Sequence, residues 1–310
     1  MTPGFAKNPH CHPRIFKRKP AISAAFVVQA SPVETVRPSF VALIALAYRD
    51  AGRALWALRA LALTATLICL AHSLADMIMH APGFGRGAGA TGRQLTDLAL
   101  TAGLVFLLVP FFIAVHRFVL LDEAQPHYLI EPKSPRTLRF FGSWIALSLV
   151  AFVPVMIARA ALEAARLLDW WSWILIAPLV LLPIVLCLRM TLLFPAIAVD
   201  APGATWSNAY HDTKGHSWGI FLIYLVATIP VIVIGACVFL LLWLALAFAS
   251  LAMAKAGVPA PAVSVLSTLG SFLTINAYYV CTAALMVVIA SRLFQLLGDR
   301  VRHLSAPQNA

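Results

Sequence analysis

Six apolar runs, each about twenty residues or longer, fill most of the chain between Ala60 and Ala290. They read as Ala60 to Met79, Leu95 to Val115, Phe140 to Ala158, Trp173 to Leu193, Trp218 to about Leu240, and Val265 to Ala290. A hydrocarbon layer of roughly 30 Å is crossed by about 20 apolar residues in a helix. Lipid offers no partner to an open backbone group, so a spanning segment must satisfy its own hydrogen bonds. Runs this long and this uniform predict an all-α membrane protein with six transmembrane helices. Composition points the same way, with 61% hydrophobic and 11% charged residues and a mean hydropathy of +0.88, far from the charge content of a soluble domain.

The remainder divides simply. Residues 1–38 carry the basic cluster RIFKRKP at 14–20 and several prolines, and read as a disordered basic N-terminal tail. AISAAFVV followed by QASP has the shape of a short signal peptide, but cleavage there would leave the mature N-terminus outside, against the charge pattern. Residues 39–299 form the six-span domain, and 300–310 a C-terminal tail. From Ser39 to Leu58, Phe40, Leu43, Ile44 and Ala47 recur at helical spacing while Arg49, Asp50 and Arg53 lie elsewhere around the turn. That pattern predicts an amphipathic interfacial helix before the first span. The fifth apolar stretch continues to Met253, too long for one simple crossing, which predicts a kink at Pro230 or a lateral segment near Leu241.

Charge fixes the expected orientation. Under this topology, eighteen of the 23 lysines and arginines fall on one side of the spans and five on the other. Positive charge accumulates on the cytoplasmic side, so both termini are expected inside, and the expected location is the inner membrane. The net charge of +11 then reflects topology, and no nucleic-acid partner is expected. Basic cytoplasmic loops attract anionic lipid, which makes membrane lipids the expected partners. The five cysteines, at 11, 69, 187, 237 and 281, are scattered and read as free thiols.

An internal repeat is compatible with this layout. Pro110 and Pro183 are 73 positions apart, as are His116 and Arg189; Ser143-Trp144 and Ser217-Trp218 are 74 apart. An offset of two spans preserves direction, so spans two and three resemble a parallel copy of spans four and five. The ending SRLFQLLGD of the sixth run is close to HRFVLLD after the second.

No phosphate-binding glycine loop, nucleophile elbow or Cys-x-x-Cys pair is present, and no cofactor is expected. GFGRGAGATG at 83–92 has no strand before it and reads as a loop. His72, Asp76 and His80 are the sharpest constellation, because steps of four put them on one helical face. Imidazole and carboxylate on adjacent turns suit a metal site or a proton relay. An ionisable group inside a span costs about 2.5–3.5 kcal/mol, so this face is expected to turn inward, toward Asp97 and Arg93 on the next run. The bland alternative leaves Asp76 and His80 in the interface, with Asp76 paired to Arg93. Arg189, about one turn from the end of the fourth run, either snorkels to the headgroups or contacts an anion or a lipid phosphate. Asn276 and Tyr278-Tyr279 are expected to hydrogen-bond between helices.

The segment Arg189 to Phe221 also carries a recognisable pattern: LLFPAIAVD at 192–200, Gly203, Thr213-Lys214-Gly215 and Trp218-Gly219-Ile220-Phe221. It resembles the repeated signature of bacterial multi-pass proteins in the glycerophosphoryl diester phosphodiesterase membrane-domain-like group, and related six-span inner-membrane families. In that group the phosphodiesterase activity sits in a separate soluble barrel. The resemblance therefore implies a bacterial membrane module without hydrolase activity. Two functions follow as expectations. The first is a non-enzymatic helical module that contacts lipid, conducts a solute or scaffolds partners. The second is a metal-dependent membrane enzyme or a metal- or proton-coupled transporter centred on His72, Asp76 and His80.

Overall fold

A computed structural model describes residues 39–80, 90–124, 127–128, 131–164, 181, 183–257 and 260–303. Every regular element among them is helical: α1 (Phe40–Ala57), α2 (Arg59–Met79), α3 (Ala90–Leu121), α4 (Pro135–Ala164), the short α5 (Leu193–Ala198) and α6 (Trp206–Asp212), α7 (Ser217–Lys255), α8 (Ala260–Leu297) and α9 (Asp299–His303). Five of these, α2, α3, α4, α7 and α8, contain stretches long and apolar enough to cross a membrane. The chain is a multi-pass membrane protein. Nine residues of the fourth apolar run, 173–180 and 182, lie outside the described residues, as do residues 1–38 and 304–310.

The helix starts at Ser39, whose Oγ accepts the Ala42 amide at 3.3 Å and so satisfies one of the orphan donors of the first turn. The buried apolar stripe of α1 is Leu43, Ala47, Ala51 and Ala54, with Asp50 beside it; the three alanines, at steps of three and four, let two backbones approach closely. It packs chiefly on α8. Phe40, expected on that stripe, is exposed, and Ile44 is half-buried. Leu58 is the joint between α1 and α2; its amide still reaches the Ala54 carbonyl at 2.8 Å, and its own carbonyl accepts Ala62 N–H at 2.9 Å.

α8 is the axis of the molecule. α1, α2, α3, α5 and α7 all pack on it, and its residues Val280, Ala284, Leu285, Val288, Ile289, Leu293 and Phe294 belong to one continuous core. None of the most apolar part of α7 is buried, and most of it is exposed, as a surface facing acyl chains would be.

α7 shows no lateral segment near Leu241, the second of the two expectations, and Pro230 lies inside it. It runs unbroken for 39 residues, about 58 Å at the helical rise of 1.5 Å per residue, beside the equally long α8. Proline frees a carbonyl in the preceding turn, and membrane helices tolerate this where a neighbour supplies donors. The carbonyl freed here is that of Val226; one residue on, Tyr48 of α1 donates its hydroxyl to the Ala227 carbonyl at 2.6 Å. The loop expected at 83–92 is also shorter than its sequence implied, because α3 begins at Ala90.

α7 and α8 touch where Gly235 faces Tyr278. A methyl group on Gly235 would come within 2.3 Å of Tyr278 Cε2, so the ring would have to move. Gly235→Ala is expected to destabilise by about 1–3 kcal/mol, the usual range for overpacking. Adding Tyr278→Ala should recover most of that loss in thermal melts of the detergent-solubilised protein. An unchanged melt for Gly235→Ala alone would show that the contact is slack.

Candidate functional site

Two polar groupings stand at opposite ends of α2 and α3. The first is built from the segment after the fourth run. α5 ends in a left-handed turn: Asp200 adopts φ 53°, its amide bonds the Ile197 carbonyl at 3.2 Å, and Ala201 N–H bonds the Ala196 carbonyl at 2.9 Å. This is the paired closure that usually recruits glycine. Here the carboxylate earns the position, since Asp200 accepts a two-pronged contact from the Arg136 guanidinium, with Nε at 3.2 Å. Arg117 donates to the Ala198 carbonyl at 3.2 Å and to Glu123 at 2.9 Å. Arg139 donates to the Ala204 carbonyl at 2.9 Å. The arginines of α3 and α4 therefore clamp the α5 turn from two sides.

Thr205 caps α6, its Oγ1 accepting Asn208 N–H at 3.3 Å. Residues 300–303, read as the start of the C-terminal tail, belong to the helix α9, docked on α6. Val301 is the fastening: its amide donates to Asp212 Oδ2 at 3.0 Å and its carbonyl accepts Gly203 N–H at 3.1 Å. Burial raises the Asp212 carboxyl above its ordinary range, and the amide donors of Val301 and Arg300 pull it partly back. Because the folded value lies above the unfolded one, this linkage favours the docked form most strongly below the ordinary carboxylate range, and the advantage fades as pH rises through the raised value.

Arg189 sits against this cap. Its guanidinium lies over the Tyr210 ring at 4.3 Å, its backbone carbonyl accepts Thr213 Oγ1–H at 3.0 Å, and its Nε is buried without a hydrogen-bond partner among the described residues. Stacking holds the fork in place.

The second grouping joins the far ends of α2 and α3. His80 Nδ1 lies 3.3 Å from Asp76 Oδ1 and 2.9 Å from the Asp76 carbonyl oxygen. His80 Nε2 lies 3.6 Å from Asp97 Oδ1. Asp76, His80 and Asp97 each offer a ligand atom within 4.8 Å of the others'. His72, half-buried one turn deeper on α2, is not one of the three. Arg93 lies on α3, but its side chain is outside the described residues. Nearby, Asn276 of α8 ties to α2 by its amide nitrogen, which lies 3.1 Å from Ser73 Oγ, an interhelical bond of the kind the sequence leads one to expect.

Two buried polar contacts escape sequence reasoning. Asp50, 3% exposed, takes a two-pronged contact from Arg292, with Nε at 2.8 Å. His116, 1% exposed, lies with Nδ1 2.8 Å from Ser291 Oγ. One signal does point to the second: His116-Arg117 and Ser291-Arg292 occupy matching places in HRFVLLD and SRLFQLLGD, and the first residues of the two endings meet. A groove of about 420 Å³ between α7 and α8 is bordered by Trp243, Ser250, Ser271 and Phe272. Ser250 and Ser271 donate their hydroxyls back into their own helices, so neither offers a donor to a ligand.

Comparison with protein-family models, curated proteins and solved structures finds no match to this chain.

Proposed function

We propose that this chain is a six-span protein of the bacterial inner membrane with both termini in the cytoplasm, acting as a non-enzymatic helical module that holds anionic lipid at its cytoplasmic face through Arg189. The observation that carries the reading is the state of that guanidinium. Arg117, Arg136, Arg139 and Arg292 spend donors on carboxylates or carbonyls. Arg189 is positioned by the Tyr210 face; its Nε is enclosed and unbonded among the described residues, so a phosphate would be met by the terminal nitrogens of the fork. A planar fork of donors held near headgroup depth is matched to a lipid phosphate. The run Trp173 to Leu193 supplies the remaining span and delivers Arg189 to the interface. α1 lies along the cytoplasmic surface with Arg49 and Arg53 toward the headgroups. The likeness of residues 189–221 to the glycerophosphoryl diester phosphodiesterase membrane-domain-like group supports a membrane module without hydrolase chemistry.

Protein reconstituted in vesicles of phosphatidylcholine with a minor share of phosphatidylglycerol, then extracted gently, should retain phosphatidylglycerol by native mass spectrometry. Arg189→Ala should lose most of it while remaining monodisperse, and Arg189→Lys should keep part, since an ammonium offers charge without the fork. Equal retention by wild type and Arg189→Ala would remove the lipid role. A C-terminal alkaline phosphatase fusion that is active in the periplasm would overturn the orientation. A second reading, a metal-dependent or metal-coupled role, is favoured by one observation, the meeting of Asp76, His80 and Asp97.

A further inference from the structure

Asp97 and Arg117 are twenty positions apart on α3, about 30 Å along the helix, so the Asp76–His80–Asp97 grouping is far from the Arg189 cap. We propose that Asp76, His80 and Asp97 bind a divalent transition-metal ion, Zn²⁺ or Mn²⁺, on the face of the membrane opposite that cap. The site does not depend on the lipid reading and has its own readout.

Three features carry it. The first is geometry. Metal–nitrogen and metal–oxygen bonds near 2.0–2.2 Å set neighbouring ligand atoms roughly 3–4 Å apart; one ring nitrogen of His80 and one oxygen each of Asp76 and Asp97 lie within 4.8 Å of one another, so a modest side-chain rotation brings all three onto one ion. The set comes from two antiparallel helices that pack directly on each other, so the ligands are fixed by the fold and not by a mobile loop.

The second is charge. Asp76 falls within the apolar stretch Arg59–Met79 and Asp97 within Thr96–Leu121, where a lone carboxylate costs about 2.5–3.5 kcal/mol at mid-membrane and less toward the edge. A protonated His80 bridging the two carboxylates leaves the trio at −1. A neutral imidazole with a divalent cation brings it to zero. The ion therefore satisfies the three groups more completely than a proton does.

The third is donor chemistry. One imidazole and two carboxylates suit zinc or manganese, whereas Cu(I) seeks thiolate and thioether. All three side chains are about half exposed, which leaves coordination positions for water or an exchangeable ligand, the open arrangement that distinguishes reactive sites from closed structural ones. The sequence pattern His72-Asp76-His80 thus keeps two of its members, and Asp97 replaces the third.

Full-length protein in detergent, stripped with a chelator and dialysed against Zn²⁺ or Mn²⁺, should retain about one ion per chain by elemental analysis after gel filtration, with affinity falling as the ligands are removed. Asp97→Asn and His80→Gln should each lower the affinity at least about tenfold, since loss of even a group that only supports a ligand costs about that much, while elution stays monodisperse. His72→Gln should bind like wild type. No retained metal in wild type would overturn the site. So would undiminished binding by Asp97→Asn, or binding of Ca²⁺ or Mg²⁺ in preference to both transition metals. Should a variant fail to fold, Co²⁺ added to wild type decides the matter: visible absorption of a nitrogen and oxygen site is expected, and a spectrum of free aqueous Co²⁺ would reject it.

Discussion

Asp50→Ala is expected to cost about 3 kcal/mol, near the low end of the 3–5 kcal/mol seen when one partner of a buried ion pair is removed. Asp50 is only 4% exposed and Arg292 22% exposed in their side chains, so the pair fastens α1 to the axis helix in a largely dry environment. Removing the carboxylate leaves the guanidinium with Gln295 Oε1 at 2.6 Å as its remaining side-chain partner. That partner and the residual exposure of Arg292 place the cost at the low end. A loss of this size lowers the midpoint of heat-induced loss of the monodisperse peak by on the order of 10 °C. Replacing both partners with apolar residues, Asp50→Leu with Arg292→Met, should recover much of the loss, because a buried pair exchanged for good packing is often neutral. Arg53→Ala is the control. Arg53 is 57% exposed and 3.9 Å from Asp50, so it should change little. If Asp50→Ala melts like wild type, the pair does not hold α1 in place.

The contrast between α7 and α8 shows what hydropathy reports and what it does not. The most apolar eighteen residues of α7 average a hydropathy of 2.9 and none of them is buried, whereas the corresponding stretch of α8 averages 2.0 and half of it is buried. Hydropathy separates lipid from water, but it does not separate lipid from protein. Positions that face other helices accept small and polar residues such as Ala284, Asn276 and Ser291, because close approach and hydrogen bonds drive association where lipid is as apolar as leucine. The most apolar helix is therefore the outer one, and the axis is hidden among moderate runs. The existence of five membrane-length helices was legible from run length alone. The unbroken course of α7 was not, since length cannot say whether a helix outgrows the bilayer or bends within it. At the α2–α3 end, the four-residue spacing of Asp76 and His80 was visible, and adjacency of sequential spans pointed to Asp97. Asp50 and Arg292, 242 positions apart, carry no local signal, and Asp50 reads as part of a polar face because Arg49 and Arg53 flank it.

His116 is where the two-span repeat and the structure make opposite demands, and its substitution gives the sharpest test of the core. The repeat pairs His116 with Arg189, yet their surroundings differ. Arg189 is half-buried and stacks on a ring, whereas His116 is enclosed, with the Phe140 ring centroid 6.2 Å from its own and Ser291 Oγ 2.8 Å from Nδ1. The Ser291 hydroxyl has one proton, and it is directed to the Val287 carbonyl at 2.9 Å. Nδ1 must therefore carry the hydrogen and donate to Ser291 Oγ, which assigns the tautomer by the hydrogen-bond network. Removing the ring leaves Ser291 bonded within its own helix, so His116→Leu orphans no buried donor and is expected to fold nearly normally. His116→Arg, the residue that the repeat places at the matching position, must bury a guanidinium where one hydroxyl and aromatic walls replace water, at a cost of several kcal/mol. Monodisperse yield should fall severely for His116→Arg and stay close to wild type for His116→Leu. A well-folded His116→Arg would mean that an acidic group or water reaches this point of the core, and a misfolded His116→Leu would mean that the imidazole is held there for a polar contact beyond Ser291.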